Sequence, residues 1–102
     1  GEGDVAAARG LLAIRYAAEV PESQRLRDWH DQVFCGELAR IAGVIRTDRY
    51  EDSETSEHLV LYHLTDPWVT QQQRFASVWA AGWERQRSGL TSWERTLYMR
   101  IL

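Results

Sequence analysis

The sequence predicts an α+β fold in the order β-α-β-β-α-β, closing one antiparallel sheet. Three observations carry that expectation: a long amphipathic stretch from Pro21 to Ile41, two segments apolar on both faces (Gly10–Ala18 and His58–Leu64), and an Asp-Pro helix start at Asp66-Pro67. This succession is the split βαβ, or ferredoxin-like, arrangement, in which strands one and three lie at the centre of the sheet.

Gly10–Ala18 reads as the first strand, because only Arg15 interrupts an apolar run suited to a strand covered on two sides. In the first helix Leu26, Trp29, Val33, Phe34, Leu38 and Ile41 recur at steps of three and four, and so share one face. Pro21 suits a first helical position, Ser23 is a second possible N-cap, and Gly43 follows the end. Arg25, Arg27, Asp28, Gln32 and Arg40 occupy the opposite, solvated face. Val44–Glu51 carries Arg46, Asp48 and Arg49, charges that suit an edge strand. Asp52–Glu57 is turn material and His58–Leu64 the third strand. The second helix is expected to run from Pro67 to about Arg87, followed by a loop at Leu90–Glu94 and a last strand at Arg95–Leu102.

With 102 residues the chain is expected to form a single domain over residues 10–102, preceded by a flexible leader or expression remnant at residues 1–9. Net charge is −3 with scattered basic residues, which gives no nucleic-acid footprint. No apolar run approaches a membrane span, and the single Cys35 excludes an internal disulfide and fits a reducing, cytoplasmic setting. His30, His58 and His63 lack zinc spacing, so no metal is expected. Two helices cover one sheet face only. The expectation groups Leu12, Ile14, Leu59 and Leu61 toward the helices, and Leu11, Ala13, Val60, Tyr62 and Leu64 away from them; these two faces could be exchanged. The uncovered apolar set then calls for a homodimer, sheet against sheet.

Trp29 to Leu38 (WHDQVFCGEL), followed by Ile41-Ala42-Gly43-Val44, resembles the EthD-like branch of the dimeric α/β-barrel superfamily. Leu61–Pro67 (LYHLTDP) is similar to that branch's third strand and helix start, and Leu97–Ile101 to its last strand. Phe34 stands where the family pattern has its helix histidine, and Gly36 where it has the following proline. The resemblance implies a cavity between sheet and helices. It also implies activities such as those of cofactor-free monooxygenases and cyclases, isomerases or haem-degrading enzymes, or none.

His30, on the edge of the helix stripe, either satisfies the rim of the core or serves as a general base or acid. With His63 and Tyr62 it forms the candidate catalytic set, and Arg15 or Tyr16 would support an oxyanion. Tyr16, Trp29, Phe34, Trp79 and Trp83 are the expected pocket lining, host to a flat hydrophobic or polyketide-like small molecule, unless the rings simply fill the core. The leading expectation is a cyclase, isomerase or monooxygenase that needs no cofactor. The alternative is a non-catalytic binding or assembly protein, and a haem-binding variant is a third.

Overall fold

A computed structural model describes residues 5–55 and 57–101. Of the expected leader, residues 1–4 lie outside the described residues, and Val5–Ala7 forms one 3-10 turn. Four strands, β1 (Gly10–Ala17), β2 (Val44–Glu51), β3 (His58–Leu64) and β4 (Ser92–Met99), form a sheet in the order β2-β3-β1-β4, every neighbouring pair antiparallel. The apolar strands β1 and β3 lie at the centre and the charged strands at the edges, as the composition predicts.

The first helical stretch is α1 (Val20–Trp29), a π-helical turn (His30–Phe34) and α2 (Cys35–Ala39). The wider turn alters which residues face inward. Leu26, His30, Phe34 and Leu38, each four apart, are buried, whereas Val33 is 47% exposed. The predicted stripe is therefore corrected at two positions: Val33 faces out, and His30 sits in the core rather than on its edge. Gly43 then turns the chain at φ +97°, and a Cβ there would lie 2.6 Å from Val69 Cγ2.

The predicted second helix is three pieces: a 3-10 segment (Pro67–Gln71), α3 (Gln73–Ala81) and α4 (Trp83–Gln86). Asp66 caps the first by accepting the Trp68 N–H at 2.8 Å. The break at Gly82 follows from packing, since a Cβ there would lie 2.3 Å from Phe34 Cε1. The last strand begins three residues earlier than predicted, at Ser92 rather than Arg95. Its Glu94 looks like a loop residue in sequence, but an edge strand tolerates it.

The pairing also corrects the two sheet faces. Leu12 lies opposite Tyr62, Ile14 opposite Val60 and Tyr16 opposite His58, so these share one face. All six are buried beneath the helices. Leu11, Ala13 and Arg15, opposite His63, Leu61 and Leu59, make the other face. The regrouping is a matter of register, which only the pairing supplies. That second face is mixed rather than purely apolar: Arg15 pairs with Glu57 at 3.4 Å and His63 Nε2 with Asp48 Oδ2 at 3.0 Å. Among the described residues, no helix is long and apolar enough to cross a membrane.

Candidate active site

The π-helical turn drops His30 from the helix onto Tyr62 of β3. Their Nε2 and Oη atoms are 2.6 Å apart, and Trp83 Nε1–H, from α4, donates to the same oxygen at 2.8 Å. Tyr62 thus accepts from the indole, so its own proton goes to His30 Nε2. The opposite arrangement would strand a buried phenolic hydrogen. His30 is then a neutral imidazole protonated on Nδ1. That nitrogen lies 3.3 Å from Cys35 Sγ and 3.6 Å from Asp31 Oδ1, and Asp31 is held through its other oxygen by Arg49 of β2.

Burial is the main reason for the titration behaviour. Desolvation lowers the His30 pKa from 6.5 to about 4, the Asp31 charge opposing and Arg49 reinforcing the drop. Desolvation also raises Tyr62 well above its ordinary value, with the Trp83 hydrogen bond acting against it. Both groups are therefore neutral at pH 7. The unfolded chain takes up the His30 proton near pH 6.5 and the folded chain only near 4. Stability from this group is thus complete above 6.5 and is lost as pH falls toward 4, by roughly 3 kcal/mol. Urea midpoints at pH 7 and pH 4 should show that loss, and His30→Gln should reduce the difference. A slope remains in that variant, because His58 is also shifted down by burial.

Aromatic rings enclose the pair. Trp29 stacks on Phe34 with centroids 4.9 Å apart, Trp83 meets Trp29 edge-on at 5.2 Å, and Trp79 meets Tyr62 edge-on at 5.6 Å. The space expected as a cavity around His30 is thus occupied by the protein's own side chains. A surface cleft of about 280 Å³ lies beside it, lined by residues that include Thr70, Phe75, Trp79, Ala80, Glu84 and Arg95. Trp79 is the wall between this cleft and Tyr62. Its indole nitrogen has no hydrogen-bond partner among the described residues, and the Arg95 guanidinium sits 5.5 Å over its ring.

Most of the predicted residues converge. Tyr62, His30, Trp29, Phe34, Trp79 and Trp83 surround one point, and Tyr16 packs against Trp83 at 5.2 Å. His63 and Arg15 do not join them. Both occupy the opposite sheet face, since the strand alternation that brings Tyr62 and Tyr16 inward turns these two outward.

No protein-family model and no curated protein sequence matches this chain. Solved structures do. A monooxygenase from the gene ActVA-Orf6 of Streptomyces coelicolor, in complex with the ligand nanaomycin D, is similar at a TM-score of 0.78 and 8% identity, over 98% of this chain and 96% of that one. The fold is ferredoxin-like.

A dimeric ferredoxin-like protein from an uncultured marine organism gives a TM-score of 0.73 at 11% identity, over 97% and 93% of the two chains. A candidate antibiotic biosynthesis monooxygenase from Deinococcus radiodurans gives 0.67 at 12%, over 91% and 93%. At such identities the likeness is one of ferredoxin-like architecture.

Sequence reasoning missed several polar partners in this ferredoxin-like chain. Ser23 Oγ lies 2.7 Å from His58 Nε2, and the His58 ring stacks on Tyr16 at 4.8 Å. Asp31 and Cys35 flank His30 Nδ1 within and just after the π-helical turn, and Arg49 reaches Asp31 from an edge strand read purely as surface. Among the described residues, no group of three or more His, Cys, Asp or Glu is arranged to hold a metal ion.

Proposed function

We propose that this chain is a small-molecule enzyme acting on a hydrophobic aromatic substrate, as a monooxygenase, cyclase or isomerase that needs no cofactor. The observation that supports it best is the Trp83–Tyr62–His30 chain. Polar groups in an aromatic core are costly to bury, and here they form a phenol bonded to a neutral, proton-accepting imidazole. A substrate carbon acid or phenol placed at Tyr62 would give its proton to the Tyr62 oxygen as the tyrosine proton moves to His30 Nε2. The substrate anion and an imidazolium result, and the Asp31 carboxylate offsets the new charge.

The substrate would approach through the cleft at Trp79, with the indole displaced from its packed position. The structural neighbour bound to nanaomycin D supports an aromatic ligand of this kind. Within the dimeric α/β barrels we assign the chain to the EthD-like branch, on Trp29–Leu38 and Leu61–Pro67. The missing helix histidine at Phe34 is then compensated by His30, one turn earlier. Two copies would pair through the face carrying Leu11, Ala13, Leu59 and Leu61, burying about 800 Å² each. The similarity to a dimeric ferredoxin-like protein supports this pairing.

One observation favours a second reading, a binding or assembly protein without catalysis: the rings of Trp29, Phe34, Trp79 and Trp83 fill the space where a substrate would lie. Incubation with nanaomycin D and with a tricyclic phenolic ketone under air, followed by mass spectrometry, separates the two. The enzyme reading expects product, and expects Ala80→Trp to block its formation by filling the cleft without changing the melting temperature. Binding without conversion supports the second reading, and no binding of either probe overturns both aromatic-ligand readings.

A further inference from the structure

Resting on that reading, we infer that Asp31 is the solvent-side end of a proton relay that runs through His30 to the buried oxygen of Tyr62. A base sealed in the core that does not hand its proton back to the product needs a route for that proton to solvent. Trp29, Phe34, Tyr62 and Trp83 pack around the fully buried His30 ring, and Asp31 and Cys35 lie beside its Nδ1. There the side chain of Asp31 is 46% exposed while its Oδ1 lies 3.6 Å from His30 Nδ1, an approach of about half an ångström short of a hydrogen bond. Arg49, only 22% exposed, holds the other carboxylate oxygen and fixes the acid in that position.

Among the described residues, few charged or titratable groups face His30. Asp31 and Cys35 come from its own helical stretch, Arg49 from β2 and Tyr62 from β3; Trp83 of α4 adds an uncharged donor. Cys35 Sγ is nearer to Nδ1 than Asp31 is, but burial pushes its thiol up, so it keeps its own proton and does not carry one to solvent. Asp31 is the remaining acceptor.

The step balances within the chain. Tyr62 passes its O–H proton to His30 Nε2, and His30 passes its Nδ1 proton to the Asp31 carboxylate. The imidazole ends neutral in the other tautomer, and the proton on Asp31 exchanges with water. With substrate present the Tyr62 oxygen is reprotonated from the substrate, and the net result is one proton moved from the substrate to solvent. Within the π-helical turn His30 is buried against the sheet while Asp31, the next residue, reaches solvent, so the two ends of the route are adjacent in the chain.

The test needs no substrate. In chain labelled with ¹⁵N-histidine, NMR reads the His30 tautomer and the rate at which its ring proton exchanges with water. The relay expects the Nδ1–H tautomer, exchange slowed at least about tenfold in Asp31→Asn, and recovery in Asp31→Glu. Exchange in Asp31→Asn within about twofold of the unmodified chain, or a proton found on Nε2 at rest, overturns it. Asp31 is half-exposed, and the glutamate variant guards against a folding artefact. Because the readout is independent of turnover, the two ideas fail separately. A chain that converts no probe but shows the Asp31-dependent exchange loses the enzymatic reading and keeps the relay. Turnover that persists at full rate in Asp31→Asn, with unchanged exchange, removes the relay alone.

Discussion

Trp83→Ala is expected to destabilise the fold by about 3–5 kcal/mol, the range for deleting a large aromatic side chain from a packed core. Trp83 is fully buried and its ring meets Tyr16, Trp29, His30, Phe34 and Trp93, so α4, α1, the π turn and two strands share it. The short helix α4 has only four residues and cannot hold itself in place by its own hydrogen bonds. Against a total stability of about 5–15 kcal/mol for a domain, such a loss leaves little margin. Chemical denaturation should show a large drop in midpoint, with a melting temperature lower by roughly 15 °C or more. Trp83→Phe separates the two contributions of the side chain. It keeps a ring in the core but removes the donor to Tyr62, and is expected to cost about 1–3 kcal/mol. An alanine variant within about 1 kcal/mol of the unmodified chain would mean that the rings are not packed as described.

The same residue shows why part of this molecule could be read in advance. Trp79 and Trp83 are four apart and flank the glycine that lets Phe34 approach, so helical spacing alone put both rings on the sheet side. Strand order was legible for a similar reason: charge density separates β2 and β4 from the apolar β1 and β3. Register was not. A period of two says that Leu12 and Leu11 face opposite ways, but it cannot say which of them shares a face with Tyr62. The grouping of Leu12 with Leu59 failed on that point, and the placement of His63 beside His30 failed with it. The π-helical turn was equally hidden, because no residue type marks it. It shows only as His30 taking an inward position that a continuous helix would share with Val33. Tyr62 and His30 could be named as candidates from their types. Their hydrogen bond, and the Trp83 donor behind it, depend on three elements brought together although His30 and Trp83 are 53 positions apart in the chain.

If Tyr62 and His30 form one proton-transfer unit, Tyr62→Phe and His30→Gln should each lower kcat by about 10²–10⁴-fold, the usual contribution of positioned acid–base groups. The double variant should be no slower than the slower single one, since removing either member already breaks the path. Tyr62→Phe preserves the ring that meets Trp79 and Phe34, so binding of the aromatic probe should change little and the effect should fall on kcat rather than KM. It also leaves the Trp83 N–H without its acceptor, at a stability cost of about 1–3 kcal/mol that denaturation can measure independently. The pattern of the losses is what discriminates. Two residues that merely pack beside a substrate would give modest losses that add in free energy, whereas a shared proton gives large losses that do not. Additive effects of less than about tenfold each would assign the buried pair to the architecture of the core and leave catalysis, if present, to another part of the chain.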